Sequence, residues 1–141
     1  MYDAHRMLAA LRAGSGPLPE WLGVALGAVL GDLQQPEPVA FAIRWQAPEH
    51  DELGMLWFGE RGGEVGAFGV SVHTQLGPEE LKAQLAEQLQ DEYPETAGAW
   101  GQARPACHRG HTHPAQAEMR DGVVVWACPR DGRVVAPVGE L

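Results

Sequence analysis

Val39-Ala40-Phe41-Ala42-Ile43-Arg44-Trp45-Gln46 alternates with a period of two. Val39, Phe41, Ile43 and Trp45 point one way; Ala40, Ala42, Arg44 and Gln46 point the other. Such a pattern marks a half-buried strand. The polar loop Pro48-Glu49-His50-Asp51-Glu52 then leads to a second apolar strand at about 53–58. Glu60-Arg61-Gly62-Gly63-Glu64 follows as a hairpin turn in which glycine supplies positive φ. The return arm sets Phe68, Val70 and Val72 on one face, with Ser71 and His73 on the other. Three strands joined by short polar turns predict an antiparallel meander over 39–73.

Helices flank it. Asp3 is suited to cap a short helix reaching Leu11 or Arg12, with Met7, Leu8 and Leu11 on one stripe and Gly14 as its stop. After the break at 15–19, Pro19 and Glu20 start a second helix, giving two N-terminal helices within 3–33. Its residues Trp21, Leu22, Val24, Leu26, Val29, Leu30 and Leu33 cover more than one face, so it is either buried or used at an interface. Gly77-Pro78-Glu79-Glu80 opens an amphipathic helix over 78–92, with Leu81, Leu85, Ala86 and Leu89 on its packing face. Two last strands, at about 122–127 and 133–137, meet at a turn containing Cys128, within a segment spanning 104–138. The expected architecture is one α+β domain over 1–141. Its mainly antiparallel sheet, an N-terminal meander plus a C-terminal hairpin, is covered by helices. Trp45, Phe41, Phe68, Leu85 and Leu89 are expected in the core.

The chain has 141 residues and 45% hydrophobic content, enough for one domain with a real core. No basic, apolar leader and no apolar run of about 18 residues is present, so neither secretion nor membrane spanning is expected, and the cytoplasm is the default location. One lysine, one isoleucine and no asparagine, against abundant Ala, Gly, Arg and Pro, suit a GC-rich bacterial genome. The net charge of −9 is uneven: residues 1–103 carry 5 basic and 15 acidic side chains, and 104–141 carry 5 and 4. An acidic body argues against nucleic-acid binding, because phosphates are met mainly by Lys and Arg. It permits a basic protein partner, and the apolar helix permits a homo-oligomer.

Chemistry concentrates in Cys107-His108-Arg109-Gly110-His111-Thr112-His113-Pro114 and Trp126-Ala127-Cys128-Pro129-Arg130-Asp131-Gly132. Both cysteines and three of the six histidines fall within 22 residues there. Thiolate and imidazole are zinc's ligand types. Pro114 favours extended backbone at His113, which would aim His111 and His113 the same way. The expected zinc ligands are Cys107, His111, His113 and Cys128, with Asp131 and His108 in reserve. A disulfide, or two unliganded thiols buried as small hydrophobes, are the competing readings, and a reducing cytoplasm counts against the disulfide.

Trp126-x-Cys128-Pro129-x-x-Gly132 resembles the second knuckle of a zinc ribbon, in which a strand ends at Cys-Pro-x-Cys-Gly. The likeness covers about seven residues. Asp131 stands where that pattern has its last cysteine, and Cys107 has no Cys-x-x-Cys partner, so the fourth ligand is left open among histidine, Asp131 and water.

Gly66 and Gly69 lack the lysine, spacing and following helix of a phosphate loop, and His50 and His73 read as solvated loop and strand-end groups. No serine elbow or His-Glu-x-x-His helix is present. The leading functional expectation is a small acidic binding or adaptor protein whose C-terminal loop is pinned by structural zinc. The alternative is a small zinc- or thiol-dependent enzyme using the same residues.

Overall fold

The computed structural model describes residues 2–3, 18–33, 41–50, 52–60, 68–92, 105–107 and 113–141. In chain order these form β1 (Tyr2–Asp3), α1 (Glu20–Leu33), β2 (Phe41–Gln46), β3 (Leu53–Glu60), β4 (Phe68–His73), α2 (Pro78–Glu92), β5 (Gln116–Arg120), β6 (Val123–Ala127) and β7 (Val134–Pro137). The class is α+β, with two antiparallel sheets ordered β1-β2-β3-β4 and β5-β6-β7.

The meander pairs as its alternation requires. Ile43 faces Phe58, Trp45 faces Leu56, and Leu56 faces Val70. Ile43, Leu56, Phe58, Val70 and Val72 are fully buried, and Trp45 is partly buried against them. Arg44 and Gln46, on the other face, are exposed. Trp45 lies across β3 at Gly54, where a Cβ would stand 2.2 Å from the indole Cη2. Glycine is therefore what lets the ring reach the core edge. The side chains of Phe41 and Phe68 lie outside the described residues.

Tyr2 and Asp3 pair with Ile43 and Ala42 as β1, because the outer edge of β2 offers backbone groups that need partners. The remainder of the expected first helix, 4–12, lies outside the described residues.

α1 begins where Pro19 predicts, with Leu22 and Gly23 N–H donating to Pro19 O at 3.1 and 2.9 Å. It buries most of its circumference, including Leu22, Leu26, Val29, Leu30 and Leu33, and leaves Trp21 and Val24 exposed. α2 starts at Pro78, with Leu81 N–H donating to Gly77 O at 2.9 Å. It buries Leu81, Leu85, Ala86 and Leu89, as its four-residue repeat requires.

The outer edge of β4 is closed by side chains of α2. Gln88 accepts from Ser71 N–H (3.1 Å) and donates to Ser71 O (2.9 Å), while Gln84 accepts from His73 N–H (3.2 Å). Amide side chains thus take the place of a further strand.

The C-terminal sheet has three strands, where a two-stranded hairpin is expected from the sequence. β5 joins β6 through Asp121-Gly122, whose φ values of 51° and 80° are both positive. This is the turn geometry that matches strand twist in a two-residue hairpin. Both sheets and both helices share one buried cluster. Trp126 is its largest fully buried side chain. Its indole N–H donates to Asp32 Oδ2 at 2.7 Å; Gly139 N–H donates to the same oxygen at 2.6 Å, and Leu141 N–H to Oδ1 at 3.2 Å. Asp32 is fully buried. Its carboxylate fastens the C-terminal segment to α1, and Gln90 of α2 adds a bond to Ala115 O.

Candidate metal centre

Two backbone features bring the thiols and imidazole together. Ala106 and Pro114 form an antiparallel bridge, and Ala115 N–H donates to Pro105 O at 3.0 Å. Cys107 and His113 are thereby held side by side. The extended backbone that Pro114 favours at His113 is what permits this pairing.

Cys128 arrives from the end of β6 in a tight turn. Its N–H donates to Arg133 O (2.8 Å) and its carbonyl accepts from Gly132 N–H (2.9 Å), with Gly132 at φ 74°. Arg130 N–H donates to Cys128 Sγ at 3.4 Å. Asp131 Oδ1 accepts from Arg133 N–H at 2.8 Å, a local turn bond typical of this residue type. Arg120 of β5 secures the turn from outside, donating to Gly132 O at 2.6 Å and to Glu118 Oε2 at 3.1 Å.

Cys107 Sγ, a ring nitrogen of His113 and Cys128 Sγ all lie within 4.8 Å of one another, close enough to hold one metal ion. Cys128 Sγ stands 3.9 Å from His113 Nε2. Tetrahedral ligation with bonds of about 2.3 Å to sulfur and about 2.0 Å to nitrogen separates S from N by about 3.5 Å and S from S by about 3.8 Å. An adjustment of at most about 1.3 Å in any pair reaches that geometry. His113 Nδ1 lies 3.3 Å from Pro114 O. A proton shared there leaves Nε2 as the lone-pair donor on the side of the sulfurs. Cys128 is buried, Cys107 and His113 are half-buried, and the two cysteines are not joined as a disulfide.

Of the residues expected from the sequence, Cys107, His113 and Cys128 converge, while His111 and His108 lie outside the described residues. Asp131 is not in the group; its carboxylate is engaged in shaping the Cys128 turn. Sequence reasoning missed Arg120 and the Arg130 N–H. The Asp121-Gly122 dipeptide was the signal for β5, the strand that carries Arg120.

Fold and site together define an α+β chain with a Cys/His group at metal-ligand spacing beside its second sheet. Comparison with known protein families, curated proteins and solved structures finds no match to this chain. Among the described residues no helix is long and apolar enough to cross a membrane.

Proposed function

We propose that the chain is a small acidic binding protein whose C-terminal segment is pinned by a structural zinc ion, and that it works through contacts with other proteins. The observation that carries the metal reading is the convergence of Cys107, His113 and Cys128. Two thiolates and an imidazole suit a borderline-soft ion such as zinc rather than magnesium or calcium, which take oxygen ligands. His111 supplies the fourth ligand in this reading. It stands two residues from His113, a backbone span of at most about 7 Å, and a fourth protein ligand closes the site in the manner of structural zinc. The ion would tie the Pro105–Cys107 segment and the 113–115 segment to the turn after β6. The acidic balance of residues 1–103 supports action on a protein partner over nucleic acid.

The test is elemental analysis of protein purified without chelator, with cobalt substitution to read ligand type. About one equivalent of zinc is expected, with thiolate-to-cobalt charge-transfer bands that diminish in both Cys107→Ser and Cys128→Ser. Protein that holds no metal near one equivalent after zinc loading overturns the reading. A cobalt spectrum unchanged in either cysteine variant overturns it as well.

A further inference from the structure

Trp21 and Val24 on the first turns of α1 face Leu76, Pro78 and Leu81 across a groove of about 590 Å³, with Glu20 at its edge. That volume falls in the range of binding clefts, roughly 300–1,000 Å³. Three of its apolar side chains keep large areas in water: Trp21 is 43% exposed, Val24 45% and Leu76 39%. A gathered apolar surface of this kind marks an interaction site. Trp21 is also held in place. Its ring meets Trp45 edge to face, with centroids 6.2 Å apart and planes at 86°. A tryptophan fixed this way loses little entropy on binding, which suits it as an anchor.

The charge around the groove selects the occupant. Glu20 is its only charged lining residue among those described. Exposed Glu80 stands on the first turn of α2, with its carboxylate against Gly77. Lys82, the sole lysine of the chain, is engaged by Glu79 at 3.0 Å. The apolar floor therefore has two carboxylates on its rim, Glu20 in the lining itself and Glu80 beside Gly77, between Leu76 and Pro78. A second copy of this chain would bring the same carboxylates against it across a two-fold axis, which like charges oppose.

We propose that this groove docks a basic amphipathic helix of another protein, with apolar anchors packed on Trp21, Val24 and Leu76 and flanking Lys or Arg paired with the rim carboxylates. The proposal rests on the reading of the chain as a binding protein and not on its metal.

The probe is a synthetic helix of about four turns with leucine on one stripe and lysine elsewhere, labelled for fluorescence anisotropy and titrated against the zinc-loaded full chain. Val24→Asp/Leu76→Asp adds carboxylates, so a purely electrostatic attraction would strengthen, whereas docking in the groove weakens by about tenfold or more. Glu20→Lys weakens binding and flattens its salt dependence. The matching leucine/glutamate helix is expected to bind at least about tenfold more weakly than the lysine peptide. Equal binding by the double aspartate variant, equal binding of the leucine/glutamate helix, or Val24-dependent self-association of the wild type in light scattering overturns the proposal. Zinc content measured in the same samples separates the two readings: a chain without metal that still binds the peptide at the groove loses the zinc reading and keeps this one.

Discussion

Replacing Asp32 by alanine removes the acceptor of three hydrogen bonds at once, two of them converging on Oδ2 from Trp126 Nε1 at 2.7 Å and Gly139 N at 2.6 Å. Trp126 has no solvent exposure. Its indole N–H would lose its partner with no water to replace it, which costs about 1–3 kcal/mol. Gly139 is half-buried and Leu141 exposed, so their N–H groups turn partly to solvent and add about 1 kcal/mol together. Removal of a buried charge offsets part of the loss. The net expectation is about 2 kcal/mol, equivalent to a fall in Tm of about 7 °C for a chain of this size. Asp32→Asn should cost only about 1 kcal/mol, because its carbonyl can occupy the Oδ2 position and keep both short bonds, leaving the NH₂ against the exposed Leu141 N–H. Guanidinium and thermal unfolding followed by circular dichroism measure both. Asp32→Ala combined with Trp126→Phe should cost about 1–2 kcal/mol less than the sum of the single changes, since both delete the same bond. Strict additivity, or alanine and asparagine variants of equal stability, would refute the reasoning.

Chelation of zinc should lower Tm by roughly 8–16 °C, from about 4 kcal/mol of linkage at a thousandfold excess over Kd, and added zinc should restore it; a chelator with no effect on the melt removes that linkage. Gly122→Ala meets no atom within 4 Å but sits at φ 80°, so its cost should be the backbone term alone, about 1–2 kcal/mol by equilibrium unfolding. Gln88→Ala deletes the paired amide on Ser71 and should cost about 1–2 kcal/mol while raising concentration-dependent aggregation, measured by light scattering. Duplex DNA should show no salt-sensitive micromolar binding in an anisotropy titration at moderate ionic strength.

The meander and α2 were legible because each writes its inward face at a fixed period, two for β2 and β4 and about four for Leu81, Leu85 and Leu89. β5 was not, because none of its five side chains is buried and the period-two signal needs a buried face. Only its Asp121-Gly122 turn announced it. β1 was not legible either, because its two residues, Tyr2 and Asp3, are too few to write a period. The buried Asp32 carboxylate is invisible to any local reading, since Trp126 lies 94 positions away. At the site, Cys107, His113 and Cys128 could be found because cysteine is rare in the chain and concentrated near histidine. Asp131 could not be assigned in advance: its role depends on whether the Cys128 turn points the carboxylate at the sulfurs or back at Arg133 N, and the backbone chooses the second.

The pair Gln84 and Gln88 acts as a vernier between helix and strand. Four residues of α-helix advance about 6 Å and two residues of strand about 6.6 Å, so amides one turn apart on α2 meet alternate residues, His73 and Ser71, on β4. A slide of one residue rotates the amides by about 100° off the edge. A slide of a whole turn fails in either direction. One way brings Glu92 opposite Ser71, where a carboxylate cannot donate to the waiting carbonyl. The other way brings Gly77 into the place where Leu81 now fills the core. The position of α2 along the sheet is therefore a discrete setting, selected jointly by polar and apolar marks on the same helix.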